Sequence, residues 1–263
     1  MPDFRYVSQN ISEFILNYSA RTFGQELVDV PRGRYVSLCF DDFPKSAVQT
    51  AAPMIEARGW QATWYACGAM MGQRSDEYGA MYTAQDLKSL SAKGHEIGCH
   101  TYSHQSAQDL SKAELIEDCL RNGLFFKRYG IAPPRSFAFP FGAANLSAKS
   151  TIAETYTAAR GVYPGTNTDK MDIRMLMATA LQDDQGGIDR ALTELENLTD
   201  EGSWLIIFTH DVETHHSPWG VSPEDYETVL KAVEASGAEV ITVTDMIKKV
   251  RPERSGAINV KRA

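Results

Sequence analysis

The chain has 263 residues, 43% hydrophobic and 23% charged, with a formal net charge of -8. Those values fit a soluble globular protein with a substantial core, built as one large α/β domain or two small ones. An acidic chain without a basic stripe excludes binding along a nucleic-acid backbone, and no apolar run is long enough for a transmembrane helix.

Apolar, β-rich runs alternate with helical patterns along the chain. RYVSLCF, Arg34 to Phe40, reads as a strand, and a helix from Ser46 to Arg58 ends at Gly59. QATWYAC, Gln61 to Cys67, is the next strand. Thr83 caps a helix through Lys93, and HEIGC follows as a strand, His95 to Cys99. Ser111 with Glu114 three residues on is a capping box, opening a helix to about Tyr129. RSFAFPF, Arg135 to Phe141, is again a strand. TAARGVY and MLMATAL, around Thr157 and Met175, are weaker strand candidates. A helix from Ile188 to Leu198 leads to SWLIIFTH, Ser203 to His210, the strongest buried strand. Ser222-Pro223 opens a further helix, with proline in its favoured first position, and AEVITVT, Ala238 to Thr244, is expected as a last strand. The alternation, about seven or eight β-α units, implies parallel strands and leaves an open sheet and a barrel both possible. Neither G-x-G-x-x-G nor a P-loop is present, so a nucleotide-binding sheet has no support.

Polar residues gather at the C-terminal ends of the strands. Asp41 and Asp42 follow the first, His100 and His104 follow HEIGC, and His210 with Asp211 closes SWLIIFT. In a barrel that end carries the active site. Asp42 alone would suit a helix N-cap, but the second acid suggests another task. Asp42, His100 and His104 together make a two-His, one-carboxylate set, the pattern of a catalytic metal site with an open position. Asp41 beside it could take a proton from water, and His210 could protonate a leaving group. Zinc suits these ligands best, with Co, Ni, Mn or Fe also able to occupy them.

In this order the motifs resemble those of the NodB-homology polysaccharide deacetylases, carbohydrate esterase family 4. C-F-D-D-F-P (Cys39 to Pro44) is similar to the family's T-F-D-D-G, His100-Thr101-x-x-His104 to H-[ST]-x-x-H, A-F-P-F-G (Ala138 to Gly142) to R-x-P-[FY]-G, and I-I-F-T-H (Ile206 to His210) to its last motif. The resemblance implies a distorted (β/α) barrel of about seven parallel strands. It implies Asp41 as general base, Asp42, His100 and His104 as metal ligands, and His210 as general acid. Phe139, Pro140 and Phe141 would wall the groove, with the Phe141 N–H helping to hold the oxyanion. The substrate would be an N-acetylated amino-sugar polymer, oligomer or lipid-linked glycan.

Two departures stand out. Phe43-Pro44 replaces glycine after the acid pair, and Ala138 stands where the family carries an arginine that tunes the base. Arg135 or Arg174, the latter preferred, is expected to supply that charge, and Asp183 or Asp184 the acid that orients His210. In THDVETHHSPWG, Trp219 is a candidate for stacking on a sugar, whereas His215 and His216 are read as solvated. A small amide or N-formyl substrate, or a non-catalytic carbohydrate-binding role, are the competing readings.

One NodB-like domain over residues 1–263 is expected, with about 30 N-terminal and about 13 C-terminal residues peripheral. Lys248 to Arg262 reads as a frayed basic end. Cys39, Cys67, Cys99 and Cys119 lie far apart, as buried free thiols do in a reducing compartment. The first residues show no secretory leader, and both features lead to the expectation of a cytoplasmic protein.

Overall fold

The computed structural model describes residues 15–182 and 186–251. Seven parallel strands form its centre: β1 (Arg34–Asp41), β2 (Thr63–Ala66), β3 (Glu96–Cys99), β4 (Ser136–Ala138), β5 (Ala158–Arg160), β6 (Thr179–Ala180) and β7 (Ser203–Thr209). Their hydrogen-bonded order is β6-β7-β1-β2-β3-β4-β5. The order follows the chain cyclically, as in a barrel rather than an open doubly wound sheet. The seam closes through one stretch. Leu176 bridges Arg160 of β5 in parallel, and β6, three residues on, pairs with β7. The sheet thus curls into the distorted barrel that the family resemblance implied.

Helices pack around it, among them α1 (Lys45–Glu56), α2 (Ala84–Ala92), α3 (Lys112–Arg128), α4 (Leu146–Ala153), α5 (Gly187–Glu196), α6 (Pro223–Ser236) and α7 (Val243–Val250). The capping boxes of α2 (Thr83/Asp86) and α3 (Ser111/Glu114) are formed, and Ser222 caps α6 with Pro223 in the first turn. In α6, Tyr226, Val229, Leu230 and Val233 fall on one helical stripe and are buried.

AEVITVT is a correction. Only Glu239–Val240 is a strand, pairing with Tyr35 and Val36 of β1, and the chain turns helical at Val243. The reason is the Thr242 side chain, which accepts the Asp245 N–H and caps α7. Local capping here overrides a β-prone run.

Strand alternation sorts the core. Leu205 and Ile207 of β7 face the helices, with Val36, Leu38 and Phe40 of β1. Trp204, Ile206 and Phe208 face the barrel axis, with Cys39, Tyr65, Ala138 and Ala158. Gly98 shares that inward parity, and a Cβ there would collide with the Tyr65 ring. At the N-terminal end of the barrel the Glu96 carboxylate accepts from Thr63, Ser136 and both Thr244 groups, which fastens α7 to the strands. All four cysteines are free and buried. Among the described residues, no helix is long and apolar enough to cross a membrane.

His95, buried where β3 begins, gives the fold a pH dependence. Its Nδ1 accepts the Ala62 N–H at 3.0 Å and its Nε2 lies 3.3 Å from Glu56 Oε1. A proton on Nδ1 would oppose the Ala62 donor, and burial holds the pKa below 6.5. The stabilising contribution is complete above the unfolded value and is lost as pH falls through the lowered folded one. Urea midpoints are therefore expected to decline below about pH 6.5, with a shallower slope in His95→Gln, whose side-chain oxygen can accept from Ala62 without titrating. An unchanged slope in that variant would exclude His95 as a contributor.

Candidate active site

The inward parity that places Cys39 on the axis also turns Asp41, two residues later, into the barrel mouth. Asp41 and Asp42 are 3% and 1% exposed. Asp42 adopts φ 53°, which breaks the strand and sends its carboxylate to a different place from that of Asp41. It does not cap α1, whose N-cap is Pro44.

His100 follows β3. Its Nδ1 is 2.8 Å from the Ala138 carbonyl, so Nδ1–H donates there and Nε2 keeps its lone pair. His104 reaches the same point by a turn rather than a helix. Asp118 of α3 accepts the Tyr102 and Ser103 N–H groups, Thr101 Oγ1 accepts the His104 N–H, and Thr101 and His104 take φ of 62° and 55°. Buried Asn122, also on α3, bonds Gly68 N–H, Ala66 O and Cys99 Sγ, which locks the ends of β2 and β3 together.

His104 Nε2 lies 3.2 Å from Asp42 Oδ2, and His100 Nε2 lies 3.9 Å from Asp42 Oδ1. Burial, then the charge of Asp41, pushes Asp42 up to about 8. Burial lowers His100 to about 4, and burial with the nearby His100 lowers His104 to about 3. Two neutral imidazoles therefore face an acid whose negative charge its surroundings do not compensate. That donor set fits a divalent cation. Cys67 adjoins this set, its Sγ and the potential ligand atoms of Asp42 and His104 all lying within 4.8 Å of one another.

The charge beside Asp41 comes from Arg160, which corrects the expectation of Arg135 or Arg174. Arg160 ends β5 on the inward parity, is fully buried and ion-pairs with Asp41. Its guanidinium lies between the Tyr65 and Phe208 rings, 4.9 and 4.5 Å from their centroids. Burial alone would raise the Asp41 pKa, but Arg160, helped by His100 and His210, holds it below the usual carboxylate range. Arg174 instead pairs with Glu26. Arg135 is exposed just before β4, at the opposite end of the strand from the acids. The signal for Arg160 lay in TAARGVY, where a lone charge interrupts a weak strand on the face of Ala158.

His210 continues the inward parity of Phe208. Burial lowers its pKa and the charge of Asp41 opposes that shift. Its Nδ1 is 3.3 Å from the Trp219 carbonyl, which leaves Nε2 for the cavity. Asp211 organises this loop. It accepts the Ser217 N–H and Oγ–H at 2.7 and 2.6 Å, and so places Trp219. Asp183 and Asp184 lie outside the described residues. His215 is exposed, as expected, and His216 Nδ1 meets the Ser217 carbonyl.

Asp41, Asp42, His100, His104 and His210 all line one cavity of about 830 Å³. Of the expected wall only Phe141 reaches it, 67% exposed at φ 59°, with its ring against His104. Phe139 and Pro140 are buried behind it, with Phe139 packed on Phe137. An unforeseen hairpin, Arg74–Ser75 with Gly79–Ala80, lines one side of the cavity. Its Tyr78 stacks on His210, and its Glu77 accepts the indole N–H of Trp219.

Residues 29–158 match the polysaccharide deacetylase family model, a stretch that holds both acids and the His100/His104 pair. The chain belongs to the polysaccharide deacetylase family. No curated protein matches it by sequence. Among solved structures it is similar to the chitin deacetylase of the fungal pathogen Colletotrichum lindemuthianum, at 16% identity and TM-score 0.61, covering 83% of this chain and 89% of that one. It is also similar to a family 4 acetyl xylan esterase from Clostridium thermocellum in complex with cobalt, at 18% identity and TM-score 0.59, covering 82% and 91%. A CE4 family pseudoenzyme from Bacillus anthracis aligns at 14% identity and TM-score 0.56, covering 82% and 66%. At these identities the three likenesses concern the fold of this polysaccharide deacetylase family member, and its chemistry rests on its own residues.

Proposed function

We propose that this protein is a metal-dependent deacylase that hydrolyses the N-acyl amide of an amino sugar. The observation that carries the reading is the pairing of Asp41 with Arg160 beside Asp42, His100 and His104, with His210 in the same cavity. Asp42, His100 and His104 would hold the cation, zinc first by ligand type. When bound, such a cation supplies Lewis acidity, polarising an acyl oxygen and making water more acidic.

The remaining work falls to the chain. Asp41, kept ionised by Arg160, accepts a proton from the attacking water. The Phe141 N–H donates to the oxyanion as the carbonyl carbon becomes tetrahedral. His210, bound at Nδ1 by the Trp219 carbonyl, delivers its Nε2 proton to the departing amine. A histidine held below its ordinary range is a stronger acid once protonated, which suits a poor leaving group. The C–N bond breaks, and a carboxylate and a free amine result.

The Glu77–Trp219 contact and the Tyr78–His210 stack favour a compact substrate over an internal unit of a long polymer, because they enclose the mouth. The cavity volume lies in the range of small-molecule sites. A free N-acyl sugar, a chain end or a small amide is therefore the second form of the reading.

The test is carboxylate release from N-acetyl and N-formyl monosaccharides, oligosaccharides and simple amides, with chelated and zinc-reconstituted protein. Zinc-dependent release is expected, with short substrates ahead of polymer. Polymer as the best substrate would overturn the compact form. Metal binding without turnover of any member of the panel would overturn the deacylase reading.

A further inference from the structure

Cys67, directly after β2, is fully buried at the metal-binding end of the barrel and has no part in the chemistry above. Its Sγ lies 3.3 Å from Asp42 Oδ1 and 2.9 Å from the His100 carbonyl oxygen. Both neighbours are acceptors. A thiolate would repel each of them, whereas a thiol can donate to one and rest against the other. The sulfur therefore stands beside the donor set as an S–H group. The surroundings hold it there, because Asn122 fixes Ala66 and Gly68 on either side of it, and Tyr82 Oη donates to its carbonyl at 2.7 Å.

We propose that Cys67 is a positioning residue for the metal centre. Its thiol proton engages Oδ1 of Asp42 and leaves Oδ2, the oxygen facing His104 Nε2, as the one presented to the cation. The inference rests on the reading of Asp42, His100 and His104 as metal ligands. Hydrogen bonds of this kind orient a ligating carboxylate, and their loss typically costs about tenfold to a hundredfold in metal affinity.

The experiment measures zinc dissociation constants by competition with a chromophoric chelator for the parent, Cys67→Ser, Cys67→Ala and Cys67→Val, alongside Asp42→Ala. Circular dichroism and thermal melts check that each is folded. Cys67→Ala and Cys67→Val, which lack a donor, are expected to bind zinc about tenfold to a hundredfold more weakly. Cys67→Ser keeps a donor and is expected to stay close to the parent. In the cobalt-loaded parent, no sulfur-to-cobalt charge-transfer band is expected. Parent-like zinc affinity in Cys67→Ala or Cys67→Val would overturn the proposal and leave the thiol as packing. A charge-transfer band that disappears in Cys67→Ser would overturn it in the other direction, making Cys67 a ligand. If the apolar variants fail to fold, the cobalt spectrum still tests the proposal, because a sulfur band lost in Cys67→Ser would overturn it. A parent that binds neither ion overturns the metal reading itself, and this inference with it.

Discussion

Exchange of Arg160 for methionine is expected to destabilise the fold by about 3–5 kcal/mol, the usual cost of removing one partner from a buried ion pair. Asp41 would remain 3% exposed with its main counter-charge gone. The guanidinium also fills the space between Tyr65 and Phe208, so lysine is a poor substitute, being a point charge without the flat face that both rings meet. Activity should fall as well, because burial then favours the protonated, non-basic form of Asp41. Urea unfolding of the single variant and of Arg160→Met with Asp41→Asn checks this. The double variant should regain part of the loss, since it no longer buries an unpaired charge. A single variant as stable as the parent would show that the pair contributes nothing.

The second large effect concerns turnover. Asp41→Asn and His210→Gln are each expected to lower kcat by about 10²–10⁴, the usual contribution of a general base or acid, with zinc affinity kept. Asp42→Ala, His100→Ala and His104→Ala should instead lose zinc. Asp41→Asn also strips Arg160 of its partner, so its folding must be checked in parallel, whereas His210→Gln isolates the chemistry. Steady-state kinetics beside chelator competition separates the two groups. Loss of zinc in His210→Gln would reassign that histidine to the metal.

The sequence carried most of the site because strand ends are easy to locate. SLCFDD, EIGCH and IIFTH each end an apolar run with a polar group, and strand alternation turns Asp41, His100 and His210 to one mouth. The seam of the barrel was harder to see. β5 and β6 are three and two residues long, too short for a periodic pattern, and Arg160 sits within the first of them. The hairpin with Glu77 and Tyr78 was also illegible, since its two-residue strands are polar and Gly-rich and are held by contacts with the distant Trp219 loop. AEVITVT failed for a local reason, a threonine cap that outweighs β propensity.

The backbone conformations at the mouth bear on how such a chain changes over generations. Asp42, Thr101, His104 and Phe141 take left-handed φ between 53° and 62°, and Asp169 is the one further non-glycine residue to do so among the described residues. Each left-handed non-glycine residue costs about 1–2 kcal/mol, against a net stability of about 5–15 kcal/mol for a typical domain. The mouth is thus where selection for chemistry and selection for a durable fold pull apart. Once chemistry ceases to be selected, drift toward glycine at these four positions relieves the backbone. Glycine there would also remove a candidate ligand, the hydroxyl that holds the His104 turn or the exposed wall of the cavity, so relief of the strain and loss of the site are one and the same change.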